Sequence, residues 1–145
     1  MTKKDKTMPA ALMDHGKDDP KQALLDKVGN LDGIECYGSD VLVAVYMRPE
    51  KTRAGIILTD AMRGEDAHQG KVGLIVKMGP TAYRDEEGNK FRDIDVGQWA
   101  VFRSSDGWPV LLNTENAVTS KDAVLCRIIN DINIRMTVAK PDAIF

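Results

Sequence analysis

Residues 40–47 read DVLVAVYM and residues 70–78 read GKVGLIVKM, and the charged segment RPEKTRAGIILTDAMRGEDAHQG occupies positions 48–70 between the two runs. Val41 to Met47 is apolar and rich in β-branched side chains, which favours strand over helix, and the run from Gly70 to Met78 repeats that composition. Working outward, QWAVF (98–102) follows an Asp95-Val96-Gly97 turn. After the turn signal SSDGWP come WPVLL (108–112), DAVLCRII (122–129) and INIRMTV (132–138). In the last run Ile132, Ile134, Met136 and Val138 alternate with polar residues, which predicts a strand with one buried face. About six short strands with turn punctuation and no helices between them predict an all-β fold, a small barrel rather than a βαβ unit.

Two connections exceed a tight hairpin, Arg48 to Gly70 and Gly79 to Gly97. Long connections in small domains are often functional, so these are the places to look for a site. The second contains YRDEEGNKFRD (83–93), whose Gly88-Asn89 favours a hairpin turn with Asp85, Glu86 and Glu87 as solvated charges.

Upstream, the first seventeen residues have no apolar period and read as a flexible arm. A helix signal follows. Asp18 or Asp19 can cap, Pro20 suits the first helical position, Leu24, Val28 and Leu31 recur at helical spacing, and Gly29-Asn30 can end it. A single short amphipathic helix is marginal unless its stripe docks on something. The reading is therefore an N-terminal arm with one helix over residues 1–39, a β-barrel over 40–138 and a tail over 139–145.

The chain has 145 residues, 43% of them apolar, enough for one core, and 20 basic against 22 acidic residues. That balance offers no basic face for nucleic acid or anionic lipid. No run is long enough to span a membrane, and the N-terminal residues lack the apolar centre of a signal peptide, so a cytoplasmic location is expected. Cys36 and Cys126 lack CxxC spacing and read as reduced structural thiols.

Catalytic patterns are missing. His15 and His68 stand apart from any spaced metal ligands, and there is no phosphate-cradling glycine motif. The expectation is a protein that is not an enzyme and needs no cofactor or metal. The aromatics Tyr83, Phe91, Trp99, Phe102 and Trp108 occur singly, which argues against a stacking platform for oligonucleotides or oligosaccharides.

Gly55-Ile56-Ile57-Leu58 remains to be explained. Aliphatic side chains in a charged connection are normally buried somewhere. They form either a short edge strand on the chain's own barrel or a plug for a groove on another protein.

The order of segments resembles the GroES-type co-chaperonins, the lids of GroEL-type chaperonins. The resemblance is carried by DVLVAVYM, the loop core AGIILTD with its charged lead-in, GKVGLIVKMGP, the stretch YRDEEGNKFRDIDVGQWAVFRSSDGWPV, and the closing pair DAVLCRII and DINIRM. It spans about Asp40 to Val138. One departure is Gln98, where the family usually has an acidic residue after Val-Gly. Others are the N-terminal extension and the tail KPDAIF.

The resemblance implies a homo-oligomeric ring, seven-fold in that family, and a mobile loop that presents Ile56, Ile57 and Leu58, with Gly55 as the flexible turn, to a groove on the chaperonin. It implies a roof hairpin over Tyr83 to Phe91, including Glu86, Glu87, Gly88 and Asn89. First and last strands of neighbouring subunits would pair, placing Val41, Val43, Ile132, Ile134 and Met136 at an oligomer edge. A second reading is a phage capsid-associated protein that reuses the same barrel, with capsid or assembly subunits as partners and the Leu24/Val28/Leu31 helix as an anchor laid on a neighbouring subunit.

Overall fold

The structure is a computed structural model and describes residues 19–46, 71–112 and 124–141. Six strands form one antiparallel sheet: β1 (Asp40–Val45), β2 (Val72–Met78), β3 (Trp99–Val101), β4 (Trp108–Leu112), β5 (Val124–Asn130) and β6 (Met136–Val138). Their spatial order is β4-β5-β1-β2-β3-β6. The all-β expectation holds, and each predicted run supplies a strand.

β1 explains the sheet. It pairs with β2 on one side and β5 on the other, and residues 41–45 are all buried. A strand covered on both faces has no polar alternation to keep, which is why VLVAV is uninterrupted. Val41 and Val43 face one core with Ile75, Ala82, Tyr83, Ile94, Ala100, Phe102, Ile129 and Ile134. Leu42 and Ala44 face a second core with Val72, Leu74, Val76, Trp99, Val124 and Cys126. A β-bulge in β2 shifts the register, since Leu42 pairs with Lys77 but Val43 with Ile75. The unopposed Val76 resets the alternation, so Met78 turns to the first core beside its partner Val41.

The second core is covered by the helix α1 (Pro20–Val28) and the segment after it. Asp19 caps α1 by accepting from the Lys21 N–H, Pro20 sits in the first turn, and the Gly29 N–H donates to Leu25 O. Val28 is 1% exposed, and Leu24, Leu25, Leu31 and Ile34 pack around it. Of the predicted stripe, Val28 is buried and Leu24 and Leu31 are partly buried against this second core.

At the far end of β2, Gly79 is fixed by close approach. A Cβ there would meet the backbone oxygen of Gly38, with Tyr37 O at 2.9 Å. Its N–H donates to Asp40 O at 2.8 Å, so the Gly-Pro turn is locked against the entry to β1.

The closing strand differs from the sequence expectation. INIRMTV is not one alternating strand: Asp131–Asn133 forms a 3-10 turn, capped by the Asn130 side chain accepting from the Ile132 N–H, and only Met136–Val138 is strand. The turn breaks the two-residue period, leaving Ile132 68% and Met136 46% exposed while Ile134 is fully buried.

A polar cluster holds the β3–β4 turn. Arg127 is buried, and its Nε and Nη2 donate to Asp106 O at 3.1 and 2.5 Å. The buried Asp106 carboxylate accepts from the Arg103 N–H at 3.0 Å and from its guanidinium at 3.2 Å. Burial by itself raises the Asp106 carboxyl, but these Arg103 donors outweigh it and hold it below the usual carboxylate range.

Two outcomes test this description. Gly79→Ala should destabilise the fold by about 1–3 kcal/mol, because backbone at Gly38 must move; denaturant unfolding measures it. Asp106 has a folded value below its unfolded one, so its contribution is present above the unfolded value and fades as pH falls through the folded value. Asp106→Asn should therefore lose stability at neutral pH, and its deficit against the parent should shrink below about pH 4, read by urea unfolding across pH.

Candidate partner-binding surfaces

The paired ends of β1 and β2 define where the long connection leaves the sheet. Val45 pairs with Gly73, and the Tyr46 N–H donates to Val72 O at 2.9 Å. Tyr46 and Lys71, the described residues that bracket 47–70, thus stand at one end of this strand pair. Gly55, Ile56, Ile57 and Leu58, the predicted plug, lie outside the described residues.

The predicted roof hairpin lies after the opposite end of β2. Arg84 and Lys90 form a bridge, and the Phe91 N–H donates to Tyr83 O at 2.9 Å. Asp85 organises the turn: its Oδ1 accepts from the N–H groups of Glu87 at 3.0 Å and Asn89 at 2.8 Å. Gly88 takes φ +85, a conformation that a side chain would strain, and Arg84 donates to its carbonyl at 3.0 Å. Glu86, Glu87, Gly88 and Asn89 are exposed at the tip. The sequence signal was sufficient here because an Asp-x-x-Gly-Asn turn satisfies its own backbone locally.

Tyr83 differs from the expectation of a roof contact. It is 1% exposed, sits in the first core, and meets Phe91 edge-on with ring centroids 6.3 Å apart. Its backbone has φ +58, a left-handed conformation that costs a bulky residue on the order of 1–3 kcal/mol and persists only where surroundings impose it. Its N–H donates to the buried Asp131 carboxylate at 2.8 Å. Burial first, and then the charge of Asp131, push the Tyr83 hydroxyl up to about 12, so it stays neutral. The sequence reading gave Asp131 no role, since its partner Tyr83 lies 48 positions away.

The edge assignment needs correction. Val41 and Val43 are not at an edge, because β1 is hydrogen-bonded on both sides and both residues are fully buried. Ile134 is likewise core. Of that set, Ile132 and Met136 are exposed, beside or on the outermost strand β6. The other outer strand, β4, exposes Trp108 and Leu111. Exposed apolar side chains on open edges favour coverage by another chain.

An apolar groove of about 190 Å³ runs between residues 34–37 and strands β4 and β5, lined by Ile34, Cys36, Leu42, Val110, Leu112 and Ile128. Cys126 is fully buried and burial pushes its thiol up to about 12, while Cys36 is raised by burial and then by Asp40. Burial thus favours the protonated thiol at both positions. The departure at Gln98 is accommodated, since its Oε1 accepts the Asp95 N–H at 2.9 Å, a bond that a carboxylate would also accept.

Among the described residues no group of three His, Cys, Asp or Glu side chains could hold a metal, and no helix is long and apolar enough to cross a membrane. No curated protein matches the sequence. The family model described as the chaperonin 10 kDa subunit matches residues 33–128, from the lead-in to β1 through nearly all of β5. With about two thirds of its length matched, and β1 to β4 and most of β5 inside that stretch, the chain belongs to the chaperonin 10 kDa subunit family, the GroES-type co-chaperonins.

Proposed function

We propose that this co-chaperonin is a ring-forming lid that grips a GroEL-type chaperonin through Ile56, Ile57 and Leu58. The observation that carries the reading is the placement of two features at opposite ends of one strand pair. The long connection 47–70 is rooted at the Val45–Gly73 end, and the hairpin follows Met78 at the other. Seven residues of β2 separate them by about 20 Å at roughly 3.3 Å per residue. A subunit can then contact a partner at one end and contribute to a roof at the other, with a rigid sheet between.

Energetics suit reversible capping. Burial of each aliphatic side chain yields roughly 1.5 to 3 kcal/mol, while ordering each loop residue costs about 1 to 2 kcal/mol. A single loop is a weak ligand, but copies presented on one ring bind with avidity and release together when the groove changes shape. The exposed Ile132 and Met136 edge supports association of subunits. No chemistry is required of the lid, and any nucleotide would be hydrolysed by the partner. The reading as a capsid-associated protein is less favoured, because the α1 stripe it would use as an anchor packs in part against the chain's own second core.

Ile57→Asp should abolish co-elution with a GroEL-type chaperonin in the presence of nucleotide, while leaving the thermal midpoint within a few degrees of the parent. A loss of stability large enough to unfold the sheet would instead place Ile57 in the chain's own core, and undiminished binding would exclude the tripeptide as the plug.

A further inference from the structure

Residues 131–135 lie beyond the family match, yet they touch both ends of the hairpin. At its start, Asp131 Oδ2 accepts the Tyr83 N–H at 2.8 Å, and Asp131 is itself fixed by donating its N–H to Ser39 O at 3.0 Å. At its finish, Arg92 Nη1 donates to Ile134 O at 3.4 Å. Between these contacts the Ile134 side chain is fully buried in the core that holds Tyr83, Ile94 and Phe102. The Arg135 N–H then donates to Val101 O at 3.3 Å, and β6 begins.

We infer that residues 131–135 act as a clasp that sets the position of the hairpin 84–90, with Asp131 as the positioning residue. The backbone of Tyr83 is the reason a clasp is needed. A tyrosine does not take φ +58 unaided, and its hydroxyl is buried without a hydrogen-bond partner among the described residues, so ring burial and the bond to Asp131 must hold the conformation. Everything from Arg84 to Lys90 is exposed and takes its direction from this pivot. Because the same segment leads into the outermost strand, docking of β6 on β3 and orientation of the hairpin are coupled within one subunit. The inference concerns the folded subunit and stands whether or not the chain caps a chaperonin.

Amide hydrogen exchange on the full-length protein tests it. In Asp131→Ala the amides of Gly88, Asn89 and Phe91 should exchange about tenfold faster, the loss expected for one buried hydrogen bond. Those of Val43, Leu74 and Ala100 should stay within about twofold of the parent. Asp131→Asn keeps an acceptor oxygen and should restore hairpin protection. Should Asp131→Ala fail to fold, Arg92→Ala removes the tie at the other end from an exposed position and is read by the same criterion. Unchanged hairpin exchange, an equal rise across hairpin and sheet, or Asp131→Asn behaving like Asp131→Ala would overturn the clasp.

Discussion

Pairing along both edges and burial on both faces leave β1 with no side open to water, and the rest of the molecule is arranged to meet that condition. β2 and β5 satisfy its backbone groups. Tyr83, Ile94, Phe102 and Ile134 cover its odd-numbered side chains, and α1 with residues 31–36 helps cover the even-numbered ones. An unsatisfied peptide group in such a strand would cost about 1–3 kcal/mol, so the flanking strands and both coverings are needed together. The bulge at Val76 follows from the same condition. It lets β2 supply Leu74 and Val76 to one core and Ile75 and Met78 to the other.

A sheet held at its centre can be decorated at its ends. The β1–β2 pair meets the long connection at one end and leads to the hairpin at the other, and residues 41–45 and 72–76 of it are all buried. The two elements are thus kept apart by hydrogen-bonded strands of one sheet. The outer strands β4 and β6 have the opposite character. They are short and expose Trp108 and Leu111 on β4 and Met136 on β6, with Ile132 exposed in the turn before β6.

Segments outside the family match contribute to the subunit's own integrity. α1 places Val28 in the second core, and residues 131–138 place Ile134 in the first while covering β3. Both are additions to the same sheet. They extend burial on its two faces, and a small domain gains most from such additions because so much of its surface is otherwise wet.

Much of this was legible in the residues. The Asp19–Pro20 start and Gly29 stop of α1, the Asp85 to Asn89 turn and the strand runs depend on interactions within a few positions, so local sequence determines them. Other features were decided by contacts between distant segments. Val41 and Val43 read like Ile132 and Met136, apolar and in strands, but the first pair is enclosed by strands from both halves of the chain and the second stands at a margin. Tyr83 reads as part of an exposed hairpin until Asp131, remote in sequence, captures its N–H. The sequence by itself determined where the strands fall apart from the turn inside INIRMTV, which turns close locally and which family the pattern belongs to, because these follow from side-chain type and short-range backbone geometry. Only the tertiary structure decided which strands are interior, where the alternation slips and what holds the hairpin, because burial and long-range hydrogen bonding depend on neighbours that no local window contains.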